Sequence, residues 1–400
     1  MERRAFSSPP WPWVRSTPQT PAGAGHAPGR PQETNRERPD EPTRTQGQEQ
    51  RMRSVSRVNG WGRRVLAAVV TVATALGLAT VAAPGAAADP DPREVLGPRC
   101  SWSDYNFYVQ NCWFHSDAMQ QDIQVQIKRS RSDAAVYMLD GLRARDDWNA
   151  WTWLGHGVDQ FVNDDVNVVM PVGGASQFYA DWVGPFQGST TPKIPRWETF
   201  LTAELPAALQ RDFGISPQRN AVVGLSMGGT AAMNLAAHHR NQFKQATSLS
   251  GYLNTTWPGM YASLQFAMND GSPGANVWDM WGGPFDPLRV RNDPLLQTPA
   301  LSGLPMYLSS GAGILGPQDD FLANPQGGVA GIVLEWISRD STARFNLAAL
   351  ATGSQPVMSY PLIGVHNWTA WTPELGKARP YILSALGLGP QPGPRPTGSL

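Results

Sequence analysis

The run Gly224-Leu225-Ser226-Met227-Gly228-Gly229 holds a Gly-x-Ser-x-Gly pentapeptide. Before it stands a short apolar, β-branched stretch, Asn220 to Val223, and after it the Ala-rich, helix-favouring stretch Thr230 to His238. A strand that turns abruptly into a helix at Ser226 is the nucleophile elbow of the α/β-hydrolase fold. Small neighbours there permit a strained backbone and leave the serine oxygen exposed above the sheet. The chemistry is acyl transfer through a serine ester. A hydroxyl is a poor nucleophile until a base takes its proton, so Ser226 needs an imidazole within hydrogen-bond reach. Of six histidines, His26 lies in a polar leader, while His115 and His156 precede the serine and break the serine, acid, histidine order of this fold. His238 and His239 close the helix that Ser226 opens, about three turns away along its axis. Elimination leaves His366, in Gly364-Val365-His366-Asn367-Trp368.

A carboxylate lying between the two in sequence must orient His366 and stabilise its protonated form. Spacing slightly favours the pair Asp319-Asp320, which follows an expected strand at Met306, over Glu335, which falls in an expected helix. Asp279 and Asp286, set among Gly, Pro and Trp, read as turn caps. The developing oxyanion needs two donors. The backbone N–H of Met227, next to the nucleophile, is one, and that of Leu142 in Asp140-Gly141-Leu142-Arg143 is the other. The steps call for no metal or cofactor. The only cysteines, Cys100 and Cys112, have no histidine cluster beside them, which argues against zinc.

These groups require a scaffold. Ile123 to Ile127 alternates as a strand with one wet face; Ala134 to Leu139 and Val166 to Val172 are continuous apolar runs expected of strands covered on both sides. Trp197 to Leu209 and Val333 to Ser338 read as helices, and Ala246 to Ser250 and Met306 to Ser309 as further strands. The alternation gives an α/β-hydrolase fold, a mostly parallel central sheet flanked by helices. Loops after Leu139 and Val172 leave the carboxyl ends of strands, where such sheets place their chemistry.

Outside that core, residues 1–51 are rich in Pro, Arg, Gln and Thr and read as a disordered or misassigned extension. Arg63-Arg64, the apolar stretch Val65 to Ala83 and Ala86-Ala87-Ala88 read as a cleaved export signal over 52–88, with Met52 as the start that gives it ordinary proportions. The catalytic domain is then 89–386, and 387–400 a Gly/Pro-rich tail. Export makes a Cys100–Cys112 disulfide the economical pairing. Acidic and basic side chains number 32 each, so nothing draws the chain to nucleic acid. A monomer is expected, meeting a membrane only through its signal. Sixteen tryptophans, Trp368 and Trp371 among them, offer flat faces suited to sugar rings or lipid chains.

The segments Met138 to Asp147, Val169 to Gly174, Phe178 to Trp182, Trp197 to Leu201, Gly224 to Gly228, Asp279 to Gly282, Arg291 to Pro294 and His366 to Trp368 resemble, collinearly, the antigen 85 mycolyltransferases of mycolic-acid bacteria. The resemblance implies an exported, cell-envelope enzyme whose partners are trehalose mycolates and cell-wall glycolipid acceptors. It moves mycoloyl groups from trehalose monomycolate to trehalose or arabinogalactan. It also shifts the acid from Asp319-Asp320 to Glu335, because Leu334-Glu335-Trp336-Ile337-Ser338-Arg339-Asp340-Ser341 matches the family's glutamate segment. Leu142 and Met227 match its oxyanion amides, and Asp140 and Arg143 its trehalose-binding pair, with Trp368 assigned to the same substrate site. A secreted carboxylesterase with the same triad, and a non-catalytic wall-binding protein, are the alternatives. Departures fall at Gln187 to Ile194, which lacks the family's cysteine pair, at Asn367 and at Gly311 to Gly331.

Overall fold

Alternating side chains of the central strands feed two apolar layers, one on each face of a single sheet. In the strand Ala135–Leu139, Ala135, Tyr137 and Leu139 join one layer while Val136 and Met138 join the other. The structure, a computed structural model, describes residues 90–104, 108–188, 193–319, 321–322 and 325–390, all within the compact unit Ala82–Leu400. The expected extension at 1–51, the signal at 52–88 and the tail beyond 390 lie outside the described residues, as does Asp320.

Nine strands are present among the described residues: β1 (Cys100–Trp102), β2 (Val109–Ser116), β3 (Gln121–Lys128), β4 (Ala135–Leu139), β5 (Asn167–Pro171), β6 (Asn220–Leu225), β7 (Phe243–Leu249), β8 (Met306–Ser309) and β9 (Val357–Ser359). They lie in the order β1-β2-β3-β5-β4-β6-β7-β8-β9. Pairings from β1 to β5 along the sheet are antiparallel, and every pairing from β5 to β9 is parallel. Helices occupy both faces, as the α/β-hydrolase fold requires. In chain order they are α1 (Ala150–Trp153), α2 (Gly157–Gln160), α3 (Trp197–Thr199), a π turn Phe200–Glu204 and α4 (Leu205–Phe213). Then follow α5 (Met227–His238), α6 (Met260–Gly271), α7 (Val277–Trp281), α8 (Pro287–Arg291), α9 (Pro325–Ala351) and α10 (Trp368–Ala385). Leu205, Leu209, Ala232, Leu235 and Phe345 pack with one layer, and Trp151, Leu375 and Ile382 with the other.

Cys100 and Cys112 face each other directly in the β1–β2 register and are joined as the disulfide. One expectation fails at β3. Its Gln positions are not wet: Gln126 is buried, its Oε1 accepting from the Asn149 amide at 2.9 Å and the Thr152 hydroxyl at 2.7 Å while its Nε2 donates to Asn111. Period-two polarity marked a strand, but amides satisfied by an adjoining loop can be buried as readily as apolar side chains. Lys128, on the same strand, is also inside. Burial pushes its amine down to about 8, and its protons go to the carbonyls of Phe161, Asp164 and Val166.

Behind the elbow helix, Glu198 of α3 accepts both guanidinium nitrogens of Arg291, at 2.6 and 2.7 Å, and meets His239 at 2.7 Å. Burial works against its charge, yet the His239 and Arg291 hydrogen bonds prevail and hold the carboxyl down to about 2. A carboxylate depressed on folding stabilises the protein above its unfolded pKa, and that stability is lost as pH falls through the folded value. Glu198→Gln should therefore lower Tm at pH 7 by about 3–6 °C. In thermal melts the gap to wild type should close between pH 4.5 and about 2.

Candidate active site

β6 ends at Leu225 and α5 begins at Met227, leaving Ser226 alone at the bend with φ 51° and ψ −121°. That conformation is costly for a residue with a Cβ and persists only because its surroundings enforce it. The Ser226 amide donates to the Leu249 carbonyl of β7 at 2.8 Å, and its carbonyl accepts from Gly229 at 3.0 Å. The flanking glycines are required by contact. A Cβ on Gly224 would collide with the Gly228 backbone, and one on Gly228 would stand 2.5 Å from the Asp140 carbonyl. The bend can be this tight only where two backbones touch.

His366 meets the serine from the other end of the chain. Its Nε2 is 2.8 Å from Ser226 Oγ, and its Nδ1 is 2.8 Å from Glu335 Oε2. Glu335, on α9, has no solvent exposure. Its second oxygen, Oε1, accepts from the hydroxyls of Ser250 at 2.7 Å and Ser310 at 3.2 Å and from the Gly311 amide. A carboxylate only accepts, so the imidazole proton sits on Nδ1 and Nε2 is left to accept the Ser226 proton. The imidazole is held between aromatic rings, stacked with Tyr252 at 5.8 Å and edge-on to Trp371 at 5.0 Å. Trp371 donates its indole N–H to Ser250 Oγ at 3.0 Å, and Ser250 in turn donates to Glu335, so one network fixes the Glu335 carboxylate and packs against the His366 ring.

Tyr252, Ser250 and Trp371 carry no motif that singles them out in the sequence. Burial, with the Glu335 charge adding to it, pushes the Tyr252 phenol well above its ordinary range, so it stays protonated beside Ser226, with which its hydroxyl interacts. Asp319, which spacing favours as the acid, lies elsewhere in its bonding. Asp319 Oδ1 accepts from Asn367 Nδ2 at 2.7 Å and from Thr369 at 2.8 Å, so it fixes the start of α10 and has no bond to His366. Asn367 is the N-cap of that helix, accepting the Ala370 amide, which places His366 immediately ahead of it.

Met227 opens α5, where backbone N–H groups have no partner within the helix and the dipole is positive. The loop after β4 runs beside it: a Cβ on Gly141 would lie 3.8 Å from Ser226 Cβ. Leu142 is anchored there through its carbonyl, which accepts the Ser176 amide at 2.9 Å. Asp140 shapes this loop. It is buried, and its two oxygens take the amides of Gly141 and Ala150, each at 2.8 Å. Burial outweighs those amides and pushes its carboxyl up to about 6. Arg143, half exposed, forms an ion pair with Asp270 near the end of α6, a partner 127 residues away. Trp368, the first residue of α10, packs edge-on against Trp151 at 5.0 Å and lines an open groove with Leu154, Gln160 and Thr372.

An Esterase family model matches residues 116–382. Antigen 85B of Mycobacterium intracellulare, a diacylglycerol acyltransferase/mycolyltransferase, is 37% identical to this chain over 338 residues, which cover 83% of this chain and 96% of that protein. The chain belongs to the antigen 85 family. Antigen 85C of Mycobacterium leprae is likewise 37% identical, over 68% of this chain and 80% of its own. Among solved structures, MPT51 of Mycobacterium tuberculosis superposes with a TM-score of 0.61 at 27% identity, covering 70% of this chain and 98% of that one. An S-formylglutathione hydrolase from Agrobacterium tumefaciens shares the fold, with a TM-score of 0.51 at 14% identity, over 73% of this chain and all of its own. This member of the antigen 85 family is thus an acyltransferase built on an esterase-like α/β fold.

Proposed function

We propose that the protein transfers mycoloyl groups from trehalose monomycolate to trehalose or cell-wall arabinogalactan, acting in the cell envelope after export. Ser226, His366 and Glu335 are its catalytic triad. The observation that carries this reading is the continuous hydrogen-bonded line from Ser226 Oγ through His366 to buried Glu335, in a chain of the antigen 85 family. His366 Nε2 takes the Ser226 proton as Oγ attacks the ester carbonyl, and the Met227 and Leu142 amides receive the oxyanion. Collapse expels the trehalose oxygen, which leaves with the proton held on Nε2, and Ser226 carries the acyl group. An acceptor hydroxyl then gives its proton to Nε2 and attacks the ester, and Oγ leaves with that proton.

Arg143 is the guanidinium that meets acceptor oxygens when it exchanges Asp270 for a sugar, and Trp368 offers a flat face in the groove it lines with Leu154 and Thr372. Asp140 serves the same site through the loop it pins. Transfer prevails over hydrolysis where the acceptor is held in line and water is kept from the ester. The test is to incubate purified protein with trehalose monomycolate and resolve the products. Trehalose dimycolate with free trehalose supports the reading. Free mycolate as the sole acyl product would make the protein a carboxylesterase, and no turnover would return it to a binding role.

A further inference from the structure

Five of the seven residues from Gly173 to Tyr179, in the loop after β5, hold positive φ: Gly173 96°, Gly174 83°, Ser176 58°, Phe178 52° and Tyr179 47°. Glycine tolerates this freely, but a serine and two aromatic residues keep such a backbone only where their surroundings impose it. All three are buried. Trp197 stands edge-on to the Tyr179 ring at 5.4 Å and donates its indole N–H to Gln177 Oε1 at 2.6 Å, while Phe178 meets Trp281 edge-on at 5.4 Å. The contortion aims three polar groups at the elements that carry the oxyanion amides. The Ser176 amide donates to the Leu142 carbonyl at 2.9 Å, the Tyr179 phenol oxygen accepts the Asp140 amide at 3.0 Å, and the Phe178 amide donates to Met227 Sδ at 3.2 Å. The Leu142 N–H therefore lies between two anchors, one at the residue two before it and one on its own carbonyl. Ser176 Oγ donates to the Met268 carbonyl of α6 at 3.1 Å, which fixes the loop from behind. Burial, with the Asp140 charge adding to it, pushes the Tyr179 phenol well above its ordinary range, so it keeps its proton and offers a neutral oxygen.

We infer that Tyr179 is a positioning residue for the acyl transfer, its phenol and the strained turn it ends setting the aim of the Leu142 and Met227 amides. The inference rests on the proposed serine chemistry and adds to it a group outside the triad. An oxyanion donor is effective only when it is aimed in advance, at about 3 Å from an oxygen whose charge develops only in the transition state. Met227 has a helix to hold it, but Leu142 sits in a loop. Without the phenol oxygen the buried Asp140 amide loses its acceptor, and the segment leading to Leu142 is released at one end. A donor displaced by about 1 Å can cost about 10² in rate. The Tyr179 ring itself needs no oxygen to stay packed on Trp197, so the hydroxyl can be removed without removing the turn.

The experiment compares wild type with Tyr179→Phe in kcat and KM for p-nitrophenyl acetate, in melting temperature and in inhibition by butylboronic acid. Ser226 Oγ adds to boron as its proton passes to His366 Nε2, and the tetrahedral boronate sets one oxygen where the amides point, so its affinity reports their aim. Tyr179→Phe should lower kcat about 10- to 100-fold, weaken the boronic acid by a similar factor and leave KM within about twofold. Glu198→Gln, destabilised behind the elbow helix, is the control for lost stability alone and should keep kcat and boronic acid affinity within about twofold. Should Tyr179→Phe fail to fold, Met227→Leu takes its place. It removes the sulfur that accepts the Phe178 amide at nearly constant volume, and should lower kcat and boronic acid affinity together by about threefold or more. The variant keeping both quantities, losing them no more than Glu198→Gln does, or changing KM alone would each overturn the inference. A wild type that neither turns over the ester nor takes the boronic acid counts instead against the acyl-enzyme reading.

Discussion

Ser226→Ala and His366→Ala should each lower turnover by about 10⁴ or more, and the double variant should be little worse than either alone. The reason is in the geometry. Ser226 Oγ becomes a competent nucleophile only as its proton passes to Nε2, 2.8 Å away, so removing either group removes the same step. The imidazole is nearly sealed, with a side chain 6% exposed between Tyr252 and Trp371, so solvent has little access to act in its place. The remaining activity would come from substrate binding and the Met227 and Leu142 amides. Steady-state kinetics with a soluble ester, beside melts showing intact folding, would check it. Additive losses in the double variant would mean the two groups do not work as a unit.

Glu335→Gln should lower kcat by about 10³–10⁴ with KM little changed, although the two side chains have almost the same shape. Neither orientation of the new amide satisfies the site. If its NH2 group faces His366, Nδ1 must accept, the imidazole proton moves to Nε2, and Nε2 can no longer take the proton of Ser226. If its oxygen faces His366, the NH2 group meets the Gly311 amide and the Ser250 hydroxyl, which both donate to Oε1 in the native site. The hydroxyl can rotate, but the amide cannot, leaving two donors opposed in a fully buried position. Comparing kcat and KM separately checks this: a rise confined to KM would assign Glu335 to substrate binding.

How far the site can be read from the sequence differs from residue to residue. Ser226 and the elbow are legible because the requirement is local: a strand, a bend and a helix in one unbroken run from Asn220 to His238, with glycines where backbones touch. His366 follows from chain order. The acid does not, because distance along the chain carries little about which group a long helix presents inward. Asp319 follows β8 at a plausible spacing yet holds the side chains of Asn367 and Thr369 at the start of α10, and Glu335 arrives from the middle of α9. Only the family resemblance pointed to it. Elsewhere, α10 is hidden by Pro373 and Pro380, which argue locally against a helix that Trp371, Leu375 and Ile382 nevertheless pack against the sheet. The short mixed-polarity strands β1 and β2 were equally opaque. Long-range pairings such as Arg143 with Asp270, and Ser250 with Glu335 and Trp371, leave no spacing signal at all.

The central claim is a covalent ester on Ser226 that is passed to a sugar hydroxyl. It is tested most directly by quenching the protein in acid during turnover of trehalose monomycolate and mapping the acyl mass by peptide mass spectrometry. The account expects a mycoloyl increment on the peptide containing Ser226, absent from Ser226→Ala and discharged to trehalose dimycolate when free trehalose is added. Dimycolate formed at full rate by Ser226→Ala, or an acyl group mapped to another residue and passed on from there, would contradict it.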